Sequence, residues 1–392
     1  MSASKFDILV VGAGPVGLAA AIAFAKDGRS VALVSPRRPS DERTSALLVG
    51  SVSLLKDIGV WPDIEPHAAP LRSLRIVDAT RRLVRSPEVV FHAAEIELDA
   101  FGFNVPNVAL LSALERGAAT AAIERMDDAV HEIRVAADCV VAKLAGSGRE
   151  ISSGLIVAAD GARSRVREAA GIEVETRRHP QSALVASLRH ELAHDDTSTE
   201  FHTENGPFTL VPLPGNRSSL VWVDRPAENA RRAALAVDAL SAEIEERAGA
   251  FPGVTTVEGP GQVFPLMGQV AHRLIAKRVA LAGEAGHVLP PIGAQGLNLG
   301  YRDISALRDV LAGTDDPGAA AILEAYDRAR RADVRLRDTA VDLFNLSLLS
   351  DFLPMQLARS LGLGAADQIP PLRRALMRAG AGLPLNGAGV DR

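Results

Sequence analysis

The chain has 392 residues, 47% of them hydrophobic and 23% charged, with a formal net charge of −5. That length and apolar content suit two or three globular domains or one interleaved α/β unit, and the acidic balance excludes bulk nucleic-acid binding, which needs a basic face. The single cysteine, Cys139, excludes an intramolecular disulfide framework and a cysteine-based zinc site, and reads as a small apolar residue kept reduced.

Residues 6–11 form a short apolar run with Ile8, Val10 and Val11, and predict a strand. Residues 15–28 have helical apolar spacing and end at a glycine, a common helix stop. Residues 30–35 (SVALVS) predict a second buried strand, so the chain opens as a βαβ unit with its glycines in the first turn. The stretch 8–25 carries no charge and approaches the length of a membrane span. Gly12, Gly14, Pro15 and Gly17 interrupt its first half, and Lys5 is followed by Asp7, which argues against a leader or an anchor.

The turn reads Gly12-Ala13-Gly14-Pro15-Val16-Gly17. Backbone without Cβ at Gly12 and Gly14 admits a pyrophosphate, and Gly17 lets helix and strand pack closely. The helix start adds unpaired N–H groups and a partial positive charge. Its setting between strand and helix makes this GxGxxG a dinucleotide site rather than a chance match. An acidic residue usually follows the second strand and holds the ribose. Here the position is Ser35, a weaker ribose partner, followed by Pro36, Arg37 and Arg38. The basic pair leaves NADP open as an alternative to FAD until the later motifs are met.

Further along, 47–58 predicts a helix closed by Gly59, 71–95 strands, and 107–123 a helix with Leu110, Leu111 and Leu114 on one side. Residues 131–159 predict strands around Gly146-Ser147-Gly148, ending in an apolar strand. There a second motif begins, Asp160-Gly161-Ala162-Arg163-Ser164-Arg165-Val166-Arg167. Residues 181–224 predict antiparallel strands, 228–250 an alanine-rich helix, and 277–282 a further strand. A third motif follows, Gly283-Glu284-Ala285-Gly286-His287 and then Pro290-Pro291-Ile292-Gly293-Ala294-Gln295-Gly296-Leu297-Asn298. A helix is predicted from about Asn298, and most of the chain to about Arg378 reads as helical.

In the order and wording of these three motifs the chain resembles the single-component flavin aromatic hydroxylases, the fold group of p-hydroxybenzoate hydroxylase, over nearly its whole length. The resemblance implies an α/β fold: a Rossmann-like FAD-binding domain (1–72, 104–175 and 269–345) interleaved with a smaller α+β substrate domain carrying a mixed or antiparallel sheet (73–103 and 176–268), and a helical C-terminal segment, 346–392. It implies FAD as cofactor, with Gly12, Gly14, Pro15, Val16 and Gly17 on the pyrophosphate and Ser35 at the ribose. Asp160 supports the FAD site, and the arginine-bearing segment through Ser164 and Arg167 is the family's link to NAD(P)H. Gly283 matches the family's Gly-Asp pair, with Glu284 in place of the aspartate. Pro291, Gly293, Ala294, Gln295, Gly296, Leu297 and Asn298 match the loop along the isoalloxazine ring, with the usual Ala-Gly pair swapped to Gly293-Ala294. The next helix should aim its start at the flavin N1/O2 edge and favour the anionic reduced flavin by about 0.3–2 kcal/mol.

Within the group the resemblance is to the ubiquinone-biosynthesis hydroxylases. It rests on Asp41-Glu42-Arg43-Thr44-Ser45-Ala46-Leu47, Leu54-Leu55 with Gly59-Val60-Trp61, Phe101-Gly102-Phe103-Asn104, Gly206-Pro207 and Ser218-Ser219-Leu220-Val221-Trp222. It implies that Arg43 lies by the flavin and that Asn107 stands near the FAD phosphates. The reaction implied is hydroxylation of a polyprenyl phenol, with NAD(P)H reducing FAD and O2 adding at flavin C4a to give the hydroperoxide that delivers the oxygen. The alternatives are a hydroxylase of a small soluble aromatic and a flavin-binding assembly protein without turnover. No catalytic base is named. His287 reads as a loop-anchoring hydrogen bond, His202 and His272 as surface or satisfied polar residues, and the substrate face is expected from 181–224 with Phe264-Pro265-Leu266. The stripe Val341, Phe344, Leu348, Phe352 and Met355, near Arg359, Arg373, Arg374 and Arg378, allows a membrane-surface or biosynthetic-complex contact or a helix packed on its own core. The expected location is cytoplasmic, at the periphery of the inner membrane.

Overall fold

The computed structural model describes residues 4–37, 39, 41–82, 85–249, 251–349, 360, 362, 364, 365 and 367–383. The centre of its first sheet is built from apolar runs that are buried on both faces. Ser4–Val11, Val31–Val34, Ile123–Met126, Glu150–Ala158 and Val279–Leu281 pair in parallel, in the spatial order 279–281, 150–158, 4–11, 31–34, 123–126. Ile8, Leu9, Val10, Leu33, Leu155, Ile156 and Val157 have no solvent exposure, as in a parallel sheet covered on both sides. The helix Pro15–Lys26 is buried at every residue from Gly17 to Phe24. A helix enclosed on all sides needs no polar face. This explains why 8–25 is uncharged although it spans nothing.

The second sheet has eight strands and is mostly antiparallel. Val174–His190 lies between Thr255–Ala271 and Arg217–Asp224, followed by Gly206–Leu213, Thr197–Thr203, Ser73–Asp78 and Val89–His92. One face is closed by the helix Val237–Ala248 over Leu184, Leu188, Phe208, Leu210, Leu220 and Trp222. A small third sheet, Thr44–Leu48, Gly102–Pro106 and Ala69–Pro70, lies between the other two. Asn104 ties it to the second sheet by donating to Pro212 O (2.9 Å) and Ser219 Oγ (3.1 Å). The helix Ala320–Leu349 buries Val334, Val341 and Leu348, and the helix Pro370–Gly380 packs Met377 on Val89 and Phe91.

Several expected elements differ. The helix expected over 47–58 is the strand Thr44–Leu48 followed by the helix Val49–Asp57, because the first residues pair with Gly102–Pro106. The helix expected to reach 123 stops at Thr120, and Ile123–Met126 joins the parallel sheet as its edge. The single helix expected over 228–250 is two, Pro226–Ala233 and Val237–Ala248. The strand expected over 277–282 is a tight hairpin of Ile275–Ala276 and Val279–Leu281, turned at Arg278 with φ +56°. The long strand Thr255–Ala271 had no sequence reading beyond Phe264–Leu266, since its glycines and prolines mask the alternation. Residues 175/176 and 268/269, expected as domain crossings, lie inside unbroken strands.

In the C-terminal region Val341 and Leu348 are buried, and Phe344 packs on Leu289, Ile292 and Leu299. That part of the apolar stripe therefore faces the protein's own core. Phe352, Met355 and Arg359 lie outside the described residues. Among the described residues no helix is long and apolar enough to cross a membrane.

Candidate functional site

Val11 is level with Val34 on one side and with Ala158 on the other, and Ala158 is level with Leu281. The carboxyl ends of four parallel strands thus share one edge. The chain leaves the first strand for a neighbour on one side and later returns on the other. The edge beside Gly12 is therefore the switch point at which open α/β sheets take ligands. Gly12, Ser35, Asp160 and Gly283 follow these four strand ends.

Gly12 has φ +106°, and a Cβ there would collide with the carbonyl of Ala159. A Cβ on Gly17 would collide with the carbonyl of Gly12. Gly14 is the N-cap of the helix Pro15–Lys26, in extended backbone, with no side-chain cap and no acidic residue in the first turn. The N–H groups of Val16 and Gly17 have no intrahelical partner, and the positive end of the helix is bare. Asn107–Thr120 and Gln295–Leu311 likewise start with no side-chain cap and no acidic residue in the first turn, as do Val49–Asp57 and Pro370–Gly380. By contrast Ser164 caps Arg165–Ala169, accepting from Arg167 N at 3.0 Å.

The uncapped helix after the third motif begins at Gln295, earlier than the expected Asn298. Gly293 (φ +66°) and Ala294 (φ +54°) turn the chain into it, so the N–H groups of Gln295, Gly296 and Leu297 form its first turn. Pro291 and Gly293 are exposed beside it. The Asn298 side chain is fully engaged inside the protein. It donates to Ala46 O (2.8 Å) and Ala294 O (2.6 Å) and accepts from Leu48 N (2.8 Å) and Ser51 Oγ (2.6 Å). It joins the loop to the small sheet. Gln295 donates to Gly293 O (2.8 Å) and accepts from Arg337 (2.7 Å). Gly300, within the same helix, allows Val16 close approach: a Cβ there would stand 2.6 Å from Val16 Cγ2.

Arg43 grips Asp41 with two bonds of 2.8 Å and lies 5.1 Å over the ring of Phe264, in the second sheet. Asn107 donates to Asp41 (2.9 Å) and accepts from Ser45 Oγ (2.7 Å). Its side-chain amide and its backbone N–H, which donates to Arg43 O at 2.8 Å, are thus both engaged internally. Burial by itself would raise the Asp41 carboxyl, but Arg43 and Asn107 hold it below the ordinary value. Arg43 is raised by its bonds to Asp41, with the charge of Glu284 adding to the effect. Ser35 is buried and its hydroxyl donates to Pro36 O at 3.1 Å, leaving its oxygen free to accept.

Asp160 Oδ2 accepts from Arg165 N (2.9 Å) and Val166 N (3.3 Å). Its Oδ1 is buried without a partner among the described residues. Glu284 reaches the same place, its carboxylate beside Gly161 (φ +88°). Arg167 is buried and donates to Ala285 O and Ala162 O, both at 3.0 Å. It braces the second motif against the third, while Arg163 and Arg165 stay exposed.

His287 has no exposure and bonds Asp303 at 2.6 Å, the anchoring role read from the sequence. Asp303 also accepts from Gly283 N (2.9 Å) and Arg330 Nε (2.8 Å). Sequence reasoning missed Asp303 and Gly300. The available signals were a carboxylate on the face shared by Gly300, Ile304 and Leu307, and a glycine inside a helix. His202, expected at the surface or satisfied, is fully buried, with Nδ1 unpartnered among the described residues. His272 is exposed.

Across from this edge stands the other face of the second sheet, over which the helix Ala320–Leu349 packs at His202 and the helix Pro370–Gly380 at Val89 and Phe91. Residues alternate along each strand. Leu184, Leu220, Phe208 and Phe201 point to the helix Val237–Ala248, so Val185, Val221, Thr209 and Glu200 point the other way. These four, with Val211 and Phe264, are only partly buried. Ser219 on this face meets Asn104, and Phe264 meets Arg43, so the face looks toward the strand-end loops.

FAD fits this arrangement. The start of the helix Pro15–Lys26 offers N–H donors with no acidic residue in its first turn, and Asp160 Oδ1, unpartnered among the described residues, suits a hydroxyl donor such as a ribityl group. The chain matches the family described as FAD binding domain over residues 5–337. It is 35% identical to a ubiquinone hydroxylase, UbiL, of Rhodospirillum rubrum, over 96% of this chain and 89% of that protein. It is 33% identical to the 3-demethoxyubiquinol 3-hydroxylase of Escherichia coli, over 98% and 100%. The fold is shared with the p-nitrophenol 4-monooxygenase PnpA of Pseudomonas putida, at TM-score 0.78 and 18% identity, covering 99% of this chain and 100% of that one. It is also shared with Klebsiella pneumoniae HpxO, solved with FAD and uric acid, at TM-score 0.75 and 22% identity over 97% and 96%. The chain belongs to the FAD binding domain family, and the protein is a flavoprotein of the FAD-dependent monooxygenase kind.

Proposed function

We propose that the protein hydroxylates the aromatic ring of a polyprenylated phenol or quinol in ubiquinone biosynthesis, using NAD(P)H and O2. The observation that carries the reading is the apposition of the FAD edge to a sheet face of Val185, Val211, Val221 and Phe264. An apolar face suits an aromatic ring with a hydrocarbon tail and keeps water from the reacting groups.

When bound, FAD supplies the redox and oxygen-activating chemistry that no side chain has. The loop Gly12–Gly17 and the bare start at Pro15 would hold its pyrophosphate, Ser35 its ribose, and Asp160 and Glu284 its hydroxyl-bearing chain. Gly293, Ala294 and the first-turn N–H groups of Gln295, Gly296 and Leu297 would face the ring. Arg43 joins that loop region to Phe264 on the substrate side.

A substrate of this kind resides in lipid. Ile369, Leu372 and Leu376 are exposed on one side of the C-terminal helix, with Arg374 exposed beside them. This surface supports peripheral contact with an anionic membrane in the cytoplasm. Salt-sensitive binding to anionic liposomes, lost when Leu372 and Leu376 become serine, tests that contact.

The main test is deletion of the gene followed by profiling of quinone intermediates. Accumulation of one under-hydroxylated prenylphenol, reversed by the gene, is the expected result. An unchanged quinone pool would remove the reading. NADPH oxidation coupled to hydroxylation of a small phenol would then assign a soluble aromatic, and a flavin without turnover an assembly role.

A further inference from the structure

Glu200 and His202 alternate along the strand Thr197–Thr203 and share the face that looks toward the flavin loops. His202 Nε2 stands 3.0 Å from Glu200 Oε1. The histidine side chain is fully buried, whereas that of Glu200 keeps 15% exposure. The His202 ring packs edge-on against Phe344 at 5.2 Å, and Phe344 packs in turn on Leu289 and Ile292 of the flavin loop. Glu200 lies in register with Thr209, which lies in register with Val221 and then Val185, so it completes a row across the proposed substrate face. That row otherwise offers a ring only methyl groups and one hydroxyl.

We propose that Glu200 is the base that takes the phenolic proton of the substrate, and that His202 is its positioning residue. The proposal rests on the phenol reading given above. An ionised carboxylate can only accept hydrogen bonds, so the proton of a neutral His202 lies on Nε2 and is donated to Oε1. Nδ1, unpartnered among the described residues, is then the bare nitrogen of that tautomer. The bond fixes one oxygen of Glu200 and leaves lone pairs on the other for the substrate. In the step itself the phenol O–H bond breaks, its electron pair stays on the phenol oxygen, and the proton forms an O–H bond with Glu200. Nothing is oxidised or reduced. The phenolate is the more electron-rich ring and the better acceptor of an electrophilic oxygen atom. His202 resists rotation of the carboxylate because Phe344 and the strand hold its ring, so the base keeps its aim.

The test uses the FAD-loaded enzyme with a short-tailed prenylphenol and a ring-fluorinated, more acidic analogue of it. In the wild type the ultraviolet difference spectrum on binding shows the phenolate band. In E200Q the phenol binds with little change in KM, the phenolate band is lost, and oxygen insertion falls by about 100-fold or more. NADPH consumption then ends in hydrogen peroxide. The fluorinated phenol recovers much of the E200Q loss, E200D restores part of the band, and H202N weakens the band without abolishing it. A structural role for the pair would lower FAD content and affect both phenols equally, which overturns the proposal. A phenolate band and hydroxylation rate unchanged in E200Q overturn it as well. Failure of the wild type to bind or hydroxylate either phenol is a different result: it removes the phenol reading itself and the base assignment with it.

Discussion

Asp303 Oδ2 lies 2.6 Å from His287 Nε2, and neither side chain has any solvent exposure. The same oxygen accepts the N–H of Gly283, and the other oxygen accepts from Arg330. One buried carboxylate therefore fixes the turn that carries the Gly-Glu pair. Burial alone would raise its pKa, but the charges and bonds of His287 and Arg330 hold it below the ordinary value.

Asp303→Asn removes the anion and leaves Arg330 with Asp333, 2.6 Å away, as its remaining carboxylate partner. Breaking a buried pair outright costs about 3–5 kcal/mol, so the loss here should fall below about 3 kcal/mol. The expected outcome is a lower unfolding temperature together with a lower FAD content after purification, checked by thermal melting and flavin absorbance. Unchanged values for both would remove Asp303 as the anchor of the turn.

Gly12→Ala forces a Cβ into the Ala159 carbonyl at φ +106°, and Gly17→Ala forces one into the Gly12 carbonyl. Both variants are expected to be isolated without the yellow cofactor or not to fold. Gly50→Ala, where a Cβ meets nothing within 4 Å, serves as the control and should keep its flavin.

Ala294 holds a left-handed conformation that costs an L residue about 1–2 kcal/mol, of which glycine's greater unfolded freedom returns about half. Ala294→Gly should therefore raise stability by about 0.5–1 kcal/mol. Denaturant unfolding with FAD bound measures it, and a destabilised variant would show that the alanine methyl is needed by its surroundings.

Arg373 bonds Glu95 at 2.6 and 2.8 Å, reaches Val90 O, and lies 4.5 Å over Phe91, clamping the C-terminal helix to the edge of the second sheet. Its bonds hold Glu95 at about 2, against an ordinary value of 4.5. A depressed carboxylate stabilises the folded form above its unfolded value and loses that contribution as pH falls. The helix Pro370–Gly380 should thus loosen between about pH 4.5 and 2, read by hydrogen exchange. Arg373→Ala should show the loosened helix at neutral pH.

What the sequence determined by itself is local. Gly12, Gly14 and Gly17 are legible because a strand-to-helix turn at a pyrophosphate needs backbone without Cβ, and that need is written within six residues. The strands 6–11 and 30–35 are legible because burial on both faces requires unbroken apolar runs. The tertiary structure alone decided how distant groups meet. Asn298 saturates its amide on Ala46, Leu48, Ser51 and Ala294, and Arg167 spends its guanidinium on Ala162 and Ala285, so both act as braces. Asp303 with His287, and Glu200 with His202 and Phe344, acquire meaning only once their elements pack. The physical reason is that a hydrogen bond or a buried charge is defined by its partner, and most of these partners come from segments whose separation along the chain carries no periodic signal.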